Sequence, residues 1–481
     1  MLFNSAVFLI FFSVVYPLYL RLNHLNQNRL LLIASYIFYG WWDLRFLVLL
    51  FFSSCIDFYC GLNIDKSSDQ NRRKFFLYLS LTSNLTILGF FKYYNFFAET
   101  LQILFNRFGI ILHPHLLHVI LPVGISFYTF QAMSYAIDIY RNQLKPTKKL
   151  GDFLVIVSFF PHLVAGPIQR AVNLLAQVTS PRLITHEKIM QGTWLFFYGL
   201  FQKAFVADNL ARMVDPVFIH TPSNGAIVLI SIYAYAFQIY GDFAGYSNMA
   251  RGLAKLMGFE LMINFRNPYF STNPQEFWHR WHISLSTWLR DYLYISLGGN
   301  RRNEVRTYIN LFLTMFLGGL WHGAAWHYVF WGGYHGLLLI IQRWADKNIF
   351  SRVKPQAFWN GQFYDKHLRH WLKPVQIIIF FHLICLGWIF FRSQSMDQSS
   401  ELIHAVLTAF HWTTAVKHHL IRFVFYALPV IFFEIMEYRK DDPCFVLRWN
   451  PIAQGCTYFF IYYCLMIYGI QGGEQFVYFQ F

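Results

Sequence analysis

Long apolar runs are the feature that most constrains how this chain of 481 residues can fold. A transmembrane helix needs about 20 largely apolar residues, and runs of that kind recur along the whole sequence. They lie near 5–22, 29–62, 75–91, 117–140, 190–207, 225–248, 305–320, 325–343, 375–391, 419–436 and 455–470. The 29–62 run is long enough for two helices that break near Gly40. The sequence therefore predicts an all-α, multi-pass membrane protein with about 11 to 13 membrane-embedded helices.

The charge of the chain agrees with a membrane location and disfavours nucleic acid as a partner. Charged residues make up 13% of the chain, against about a quarter in ordinary soluble domains. The net charge is +15, but the basic residues stand in short clusters between apolar runs, as at 72–74 and 145–149. Such clusters contact anionic lipid headgroups and set the topology of a membrane protein.

Neither a disulfide framework nor a metal site is expected. The six cysteines stand mostly inside apolar runs and lack a metal-ligand spacing. Glu276, His279 and His282 are three residues apart, which resembles a ligand spacing, but a metal would need further ligands from elsewhere in the chain. We therefore predict no bound metal.

Two stretches do not fit a plain membrane span. The apolar segment 152–170 is interrupted by Pro161, Gly166 and Pro167, so its backbone must break at membrane depth. Such a break is tolerated only where protein or a water-filled cavity satisfies the freed backbone groups. The segment 262–303 is too charged to span a bilayer and too aromatic for a solvated loop.

The second of these stretches contains an amphipathic pattern. Large apolar side chains recur at steps of three and four, at Trp278, Trp281, Leu285, Trp288 and Tyr292. The opposite face carries Arg280, Ser284, Thr287 and Asp291. The spacing predicts one helix over 278–292 that lies in an interface or lines a cavity. His282 would stand beside its aromatic stripe, either as a functional residue or as part of the packing.

A histidine between glycines ends the next apolar run. His322 lies in the sequence Gly318-Gly319-Leu320-Trp321-His322-Gly323. The glycines allow another backbone or a ligand to approach the histidine closely. An ionisable residue in an apolar block costs a few kcal/mol, about 2.5 or more for the charged residues on insertion scales. A functional role for His322 is therefore the default, and histidine is suited to take and return a proton near neutral pH.

Several motifs resemble those of one known family, both in their residues and in their order along the chain. They are Pro122–Tyr128, Phe160–Ile168, Arg280–Tyr292, Gly319–Trp326, Trp388–Arg392 and the terminal Tyr478–Phe481. On these residues the chain is similar to the membrane-bound O-acyltransferases, in the branch that acetylates bacterial alginate. The resemblance implies a single domain over 1–481, with a core at 122–392 and peripheral helices at 1–121 and 393–481. It also implies a ring of helices around a central tunnel.

The resemblance further implies which residues act. The essential histidine of the family maps onto His322, and its second polar residue maps onto His282, which lies 322 − 282 = 40 residues upstream. We expect His322 to act as general base on an acceptor hydroxyl. His282 would orient the donor or stabilise the oxyanion through its N–H.

Further candidates fall into two groups. Candidates for lining the tunnel or supporting the histidines are Trp321, Gly323, Trp281, Asp242 and Asn310. Candidates for contacting the donor are Arg280, Arg290, Arg301 and Arg302. These arginines would either grip donor phosphates or an acidic carrier, or contact lipid headgroups and set topology.

The expected function is O-acetyl transfer across the bacterial inner membrane. The donor would be a cytoplasmic thioester such as acetyl-CoA, used as co-substrate with no bound cofactor. The acceptor would be an extracytoplasmic polysaccharide, reached directly or through a periplasmic or cell-surface partner transferase. One alternative is D-alanyl transfer from a carrier protein to a teichoic-acid-type polymer. The other is a transporter without covalent chemistry, which the absence of repeated halves in the sequence disfavours.

Overall fold

Helices are the only regular elements in the residues that this computed structural model describes, which are 1–164, 166–350 and 362–470. Five stretches of these ranges are long and apolar enough to cross a membrane. They are Leu44–Lys66, Gln70–Arg107, Gly225–Leu256, Leu372–Arg392 and Thr414–Lys440. The predicted all-α, multi-pass membrane protein is confirmed, while the number of membrane-embedded helices stays a prediction.

The described residues divide into two compact units. The first contains 1–200 and 245–262, and the second contains 201–244 and 263–470. One long helix, Gly225–Leu256, contributes residues to both units. The organisation of the chain as one domain with a core at 122–392 stays a prediction.

The first unit contains ten helices within its described residues. They are α1 Ala6–Arg21, α2 His24–Gly40, α3 Leu44–Lys66, α4 Gln70–Leu88, α5 Tyr94–Arg107, α6 Ile125–Tyr140, α7 Leu150–Ser158, α8 Phe160–Leu163, α9 Ala171–Thr179 and α10 His186–Leu200. The break expected in 152–170 is present, because α7 ends at Ser158 and a separate short helix follows with Pro161 in its first turn. The 29–62 run also forms two helices, which are separated at residues 41–43.

The buried core of the first unit joins α2, α3, α4, α6 and α7. A close backbone approach holds the broken segment in place. Gly124 has φ +74°, and a Cβ atom there would lie 2.6 Å from the backbone oxygen of Leu163. Only glycine combines this left-handed conformation with so short an approach. The side chain of Gln131 then bridges the break, because it contacts His162 Nε2 at 2.9 Å and donates to the backbone oxygen of Ile156.

The second unit contains the elements that carry most of the predicted site. They are α11 Asp208–Ile219, residues 225–244 of α12 Gly225–Leu256, α13 Pro274–Arg280, α14 Ile283–Trp288, α15 Glu304–His322, α16 Trp326–Ala345, α17 Gln362–Arg392, α18 Met396–Thr408, α19 Thr414–Lys440 and α20 Pro451–Tyr468. Three π-helical turns also belong here, at Phe201–Ala207, Leu289–Tyr294 and Asp346–Phe350. Turns of this type occur often at functional sites.

Helices α15 and α16 form a tight antiparallel pair. A Cβ atom at Gly319 would lie 2.2 Å from the backbone oxygen of Tyr328, and one at Gly332 would lie 2.4 Å from that of Met315. The two backbones therefore meet where any larger residue would separate them. This contact sets the position of His322, which is the last residue of α15.

The single helix predicted over 278–292 is two helices, and this part of the prediction is wrong. Helix α13 ends at Arg280, and His282 has φ 43° and ψ 52°, the left-handed conformation. That conformation costs a residue with a side chain about 1–2 kcal/mol. Hydrogen bonds to Asn264 compensate for it, because its backbone oxygen accepts from Ile283 N and its side-chain oxygen accepts from Ser284 N. The sequence pattern could not reveal these tertiary contacts.

Candidate active site

His322 is buried among aromatic rings at the end of α15. Its side chain is enclosed so that the residue is 3% exposed. The ring stands edge-on to Trp321 at 5.1 Å, to Trp331 at 5.1 Å and to Phe391 at 5.4 Å between ring centroids. Edge-to-face contacts of this kind hold the plane of a ring.

A cavity of about 640 Å³ leads to His322. Its walls are apolar with a few hydroxyl groups, from Leu285, Leu289, Leu311, Met315, Trp331, Ser286, Thr287 and Thr314. Charged side chains also line it: Arg290, Glu304, Arg343, Asp346 and Lys347. Because Arg290 and Lys347 are largely exposed and His322 is buried, we infer that the charged residues mark the mouth and that His322 lies at the deep end.

The second predicted histidine lies beside the first. The ring centroids of His282 and His322 are 6.2 Å apart, and the rings are inclined at 61°. His282 is completely buried against Phe243, whose ring meets it edge-on at 4.6 Å. Burial lowers the pKa of His282 to about 3, so its ring is neutral at physiological pH.

The side-chain amide of Asn264 holds His282 in place. His282 Nδ1 lies 3.1 Å from Asn264 Oδ1, which also accepts hydrogen bonds from the backbone N–H and the hydroxyl of Ser284. Asn264 was not among the residues predicted from the sequence. No signal pointed to it, because it is one polar residue at the start of the polar segment 262–303 and lies 18 residues before His282.

The predicted supporting residues close to the histidines pack around them without lining the cavity. The Trp321 ring contacts both histidines, at 5.9 Å from His282 and 5.1 Å from His322. Gly323 follows His322 and lies against the Tyr328 ring, which a Cβ atom would approach to 2.1 Å. Trp281 stands one residue before His282 and packs on Trp388 at 4.9 Å.

Asn310 supports the cavity wall from inside the second unit. Its side chain donates to the backbone oxygen of Gly299, and its own backbone oxygen accepts from the hydroxyl of Thr314. Thr314 lines the cavity. Asn310 thus connects the turn at Gly299, which follows the π-helical turn Leu289–Tyr294, to the cavity wall.

Asp242 belongs to a buried ion-pair cluster. Lys203 Nζ lies 2.7 Å from Asp242 Oδ1 and 2.8 Å from Asp208 Oδ1, and all three side chains are 2% exposed. The next residue, Phe243, is the one that packs on His282. Asp242 therefore supports the histidine site through α12 and does not line the cavity.

The four candidate arginines lie at different places. Arg290 is at the cavity mouth, where its hydrogen bond with Asp291 raises the pKa of the guanidinium. Arg280 pairs with Glu276 at 3.0 Å and lines a second, polar cavity of about 690 Å³. Arg301 and Arg302 are exposed and line neither cavity.

The mouth has basic residues that the sequence prediction missed. Arg343 and Lys347 line it. Arg343 ends the apolar run 325–343 and Lys347 lies four residues beyond it, which was the available signal. His279 lines both cavities. Within the described ranges no three His, Cys, Asp or Glu residues are grouped as metal ligands would be.

The arrangement can support a proton transfer beside a reactive carbonyl. The imidazole of His322 lies at the end of an apolar cavity, where it can take a proton from a bound group, and the neutral imidazole of His282 lies next to it. Low water access limits competing hydrolysis.

Of the motifs that suggested a family, Tyr478–Phe481 and Ala165 lie outside the described residues.

Comparisons with known proteins agree with these motifs. Residues 150–357 match the family described as "MBOAT, membrane-bound O-acyltransferase family". The chain is 42% identical over 419 residues to the probable alginate O-acetylase AlgI of Pseudomonas aeruginosa. The matched region covers 86% of this chain and 76% of that protein. This chain belongs to the membrane-bound O-acyltransferase family.

Two more distant relatives have names that refer to other polymers. The chain is 33% identical over 440 residues to the peptidoglycan O-acetyltransferase of Helicobacter pylori, which covers 85% of this chain and 80% of that protein. It is 28% identical over 295 residues to the teichoic acid D-alanyltransferase of Bacillus subtilis, over 58% of this chain and 70% of that protein.

Family membership decides the class of protein. The chain is a multi-pass membrane O-acyltransferase, of the enzyme class that transfers acyl groups other than aminoacyl groups. It therefore uses an acyl donor as co-substrate. The alternative of a transporter without covalent chemistry is wrong.

Proposed function

We propose that this enzyme moves an acetyl group from a cytoplasmic thioester, such as acetyl-CoA, to hydroxyl groups of an extracytoplasmic polysaccharide, with His322 as general base. The observation that carries the proposal is the position of His322 at the deep end of a cavity whose mouth is charged. The acetyl group and the glycan acceptor are supported by the names of the relatives that are 42% and 33% identical.

The cavity has the size and lining that a thioester arm needs. Its volume of about 640 Å³ falls within the range of small-molecule sites. The apolar wall would bury the alkyl parts of a pantetheine arm, and the hydroxyls of Ser286, Thr287 and Thr314 could bond its amides. Arg290, Arg343 and Lys347 at the mouth would face donor phosphates.

The charge of the mouth favours the cytoplasmic side of an inner membrane. Three basic residues line the mouth, and Arg301, Arg302 and Arg306 lie near it in the sequence. Lys and Arg are enriched on the cytoplasmic side of bacterial membrane proteins. The donor would therefore enter from the cytoplasm, where acetyl-CoA is available.

The reaction then needs one proton to move twice. An imidazole nitrogen of His322 takes the proton of the acceptor hydroxyl while the hydroxyl oxygen attacks the thioester carbonyl carbon. The tetrahedral intermediate collapses with breakage of the C–S bond, and the imidazolium returns the proton to the departing thiolate. The products are an O-acetyl ester and a free thiol.

Acetyl would reach the polysaccharide either directly or through a second protein. In the second case a separate periplasmic or cell-surface transferase would supply the acceptor hydroxyl at His322 and then pass acetyl to the polysaccharide. The likeness to the alginate and peptidoglycan enzymes supports a glycan as final acceptor. D-alanyl transfer is less well supported, because the relative of that name covers 58% of the chain at 28% identity.

The proposal is tested by transfer of label in membranes. Membranes that contain the chain are given radiolabelled acetyl-CoA and the polysaccharide, with and without its surface transferase. We expect His322→Gln to lower acetyl transfer about 100- to 10,000-fold, the range for loss of a general acid–base group. The matched control His411→Gln changes an exposed histidine and should leave transfer unchanged. Transfer that needs a D-alanyl carrier protein, or that survives His322→Gln, would overturn the proposal.

A further inference from the structure

Two hydrogen-bond donors of Ser284 and one ring nitrogen of His282 converge on the side-chain oxygen of Asn264. Asn264 Oδ1 lies 2.9 Å from Ser284 Oγ, 3.3 Å from Ser284 N and 3.1 Å from His282 Nδ1. Asn264 and Ser284 are each 1% exposed, and His282 is completely buried. This cluster lies behind the ring of His282, and its geometry decides where the hydrogen on that ring stands.

The backbone N–H of Ser284 fixes the orientation of the Asn264 amide. A backbone N–H donates and never accepts, so the atom of Asn264 that faces it must be the carbonyl oxygen. The reverse orientation would point the NH₂ group at an N–H group. An oxygen at this position accepts only, so His282 Nδ1 must carry the hydrogen of their contact.

We propose that Asn264 is a positioning residue that holds His282 in the Nδ1–H tautomer, so that Nε2 carries the lone pair and accepts a hydrogen bond during catalysis. The proposal rests on the proposed function. It reverses the expected role of His282, because a neutral ring in this tautomer cannot donate to an oxyanion from Nε2. The group that binds His282 Nε2 must then donate a hydrogen bond. It would be the O–H of the acyl acceptor or an N–H of the thioester arm.

The surroundings of His282 favour the neutral ring that the proposal needs. The rings against it are Phe243, Phe265, Trp321 and His322. The ionisable residues that are one of these rings or stand next to one in the sequence are His322, Asp242 beside Phe243 and Arg266 beside Phe265. Asp242 is paired with Lys203, and Arg266 is paired with Asp441, so neither supplies an unpaired charge to the ring.

Two substitutions at Asn264 separate tautomer control from simple packing. Asn264→Leu keeps a similar volume and removes the acceptor, so we expect kcat to fall about 10-fold or more while KM for acetyl-CoA changes little. Asn264→Asp keeps an oxygen acceptor, so activity should largely return at high pH. Because a carboxylate stabilises the protonated ring, it should raise the pKa of His282 and add a loss of activity on the acid side of the pH profile.

A packing role would give a different pattern. It predicts equal losses in both variants, with no new acid limb in Asn264→Asp, and that result would overturn the proposal. An unchanged kcat in Asn264→Leu would also overturn it. Ser231→Ala is the control for the loss of a buried polar side chain. Ser231 is buried in the second unit and forms a hydrogen bond with His419, away from His282. Its replacement should leave the pH profile unchanged.

The tautomer is also measurable without activity. Protein labelled with ¹⁵N-histidine is compared with the variant His282→Gln by solid-state NMR, which assigns the signal of His282. We expect a neutral ring with hydrogen on Nδ1, and a ring with hydrogen on Nε2 would contradict the proposal. Failure of the wild-type protein to transfer acetyl would remove the proposed function and leave this spectrum as an independent test.

Discussion

The imidazole of His322 stands perpendicular to the indole of Trp331, with ring centroids 5.1 Å apart and planes inclined at 90°. Trp331 is also stacked on Trp388 at 5.9 Å and lines the cavity. One indole thus forms a wall of the cavity and fixes the plane of the candidate catalytic ring. Orientation of this kind is a large part of what a protein contributes to catalysis.

Replacement of Trp331 should therefore affect both stability and rate. Trp331→Ala is expected to cost about 3–5 kcal/mol of stability, the range for removing a large aromatic side chain from a core. Trp331→Phe keeps a ring and should lower kcat with a smaller loss of stability. Thermal unfolding in detergent and acetyl transfer, measured on both variants, check this. An unchanged kcat in Trp331→Phe would show that the indole does not orient His322.

The contact between α15 and α16 should not tolerate a methyl group at Gly319. The new Cβ atom would lie 2.2 Å from the backbone oxygen of Tyr328, so the helices must separate and His322 must move. We expect Gly319→Ala to lower the unfolding temperature and to abolish most activity. Gly455→Ala is the control, because a Cβ atom there meets nothing within 4 Å. Equal behaviour of the two variants would contradict this prediction.

The buried cluster around Lys203 should be sensitive to loss of its cation. Lys203→Met leaves the Asp208 and Asp242 carboxylates buried without their shared partner, which should cost about 3–5 kcal/mol. Lys255→Met is the matched control. Lys255 is 14% exposed and pairs with the half-exposed Glu260, so its loss leaves a carboxylate that water can reach and should cost less than loss of Lys203. Chemical unfolding of both variants gives the comparison, and a small effect of Lys203→Met would argue against a supporting role for this cluster.

The basic residues at the cavity mouth should act on donor binding alone. Arg290→Gln is expected to raise KM for acetyl-CoA about 2- to 5-fold with kcat unchanged, since an exposed ion pair contributes about 0.2–1 kcal/mol. The effect should weaken at high salt. Arg301→Gln changes an exposed arginine that does not line the cavity, and its KM should stay at the wild-type value. The opposite order of the two KM values would place the donor elsewhere.

Several features of the fold and site could be predicted because they depend on local sequence. The helical class follows from the length of the apolar runs, and the break near Pro161 follows from proline geometry. His322 was identifiable because an ionisable side chain among glycines and aromatics is rare in an apolar block. Its proximity to His282 came from the family resemblance, since nothing in a separation of 40 residues predicts that two rings meet.

The remaining features depend on contacts between distant parts of the chain. The stripe at 278–292 predicted one helix, but the chain breaks at His282, where the backbone N–H groups of Ile283 and Ser284 donate to Asn264. The partner of Asp242 was hidden as well, because Lys203 stands within the apolar run 190–207 and becomes visible as a partner only in the folded structure. Sequence periodicity reports the structure that a segment would adopt by itself. The conformation and pairing of these residues depend on contacts with other segments.

The central claim is that the acyl donor reaches His322 through the described cavity. The most direct measurement is blockage of a cysteine placed in its wall, Ser286→Cys, in a chain whose exposed Cys456 is replaced by Ser. A bulky thiol reagent should abolish acetyl transfer, and acetyl-CoA should protect the cysteine from reaction, while the exposed control Ser296→Cys stays active after labelling. Full transfer by the labelled Ser286→Cys variant would contradict the account.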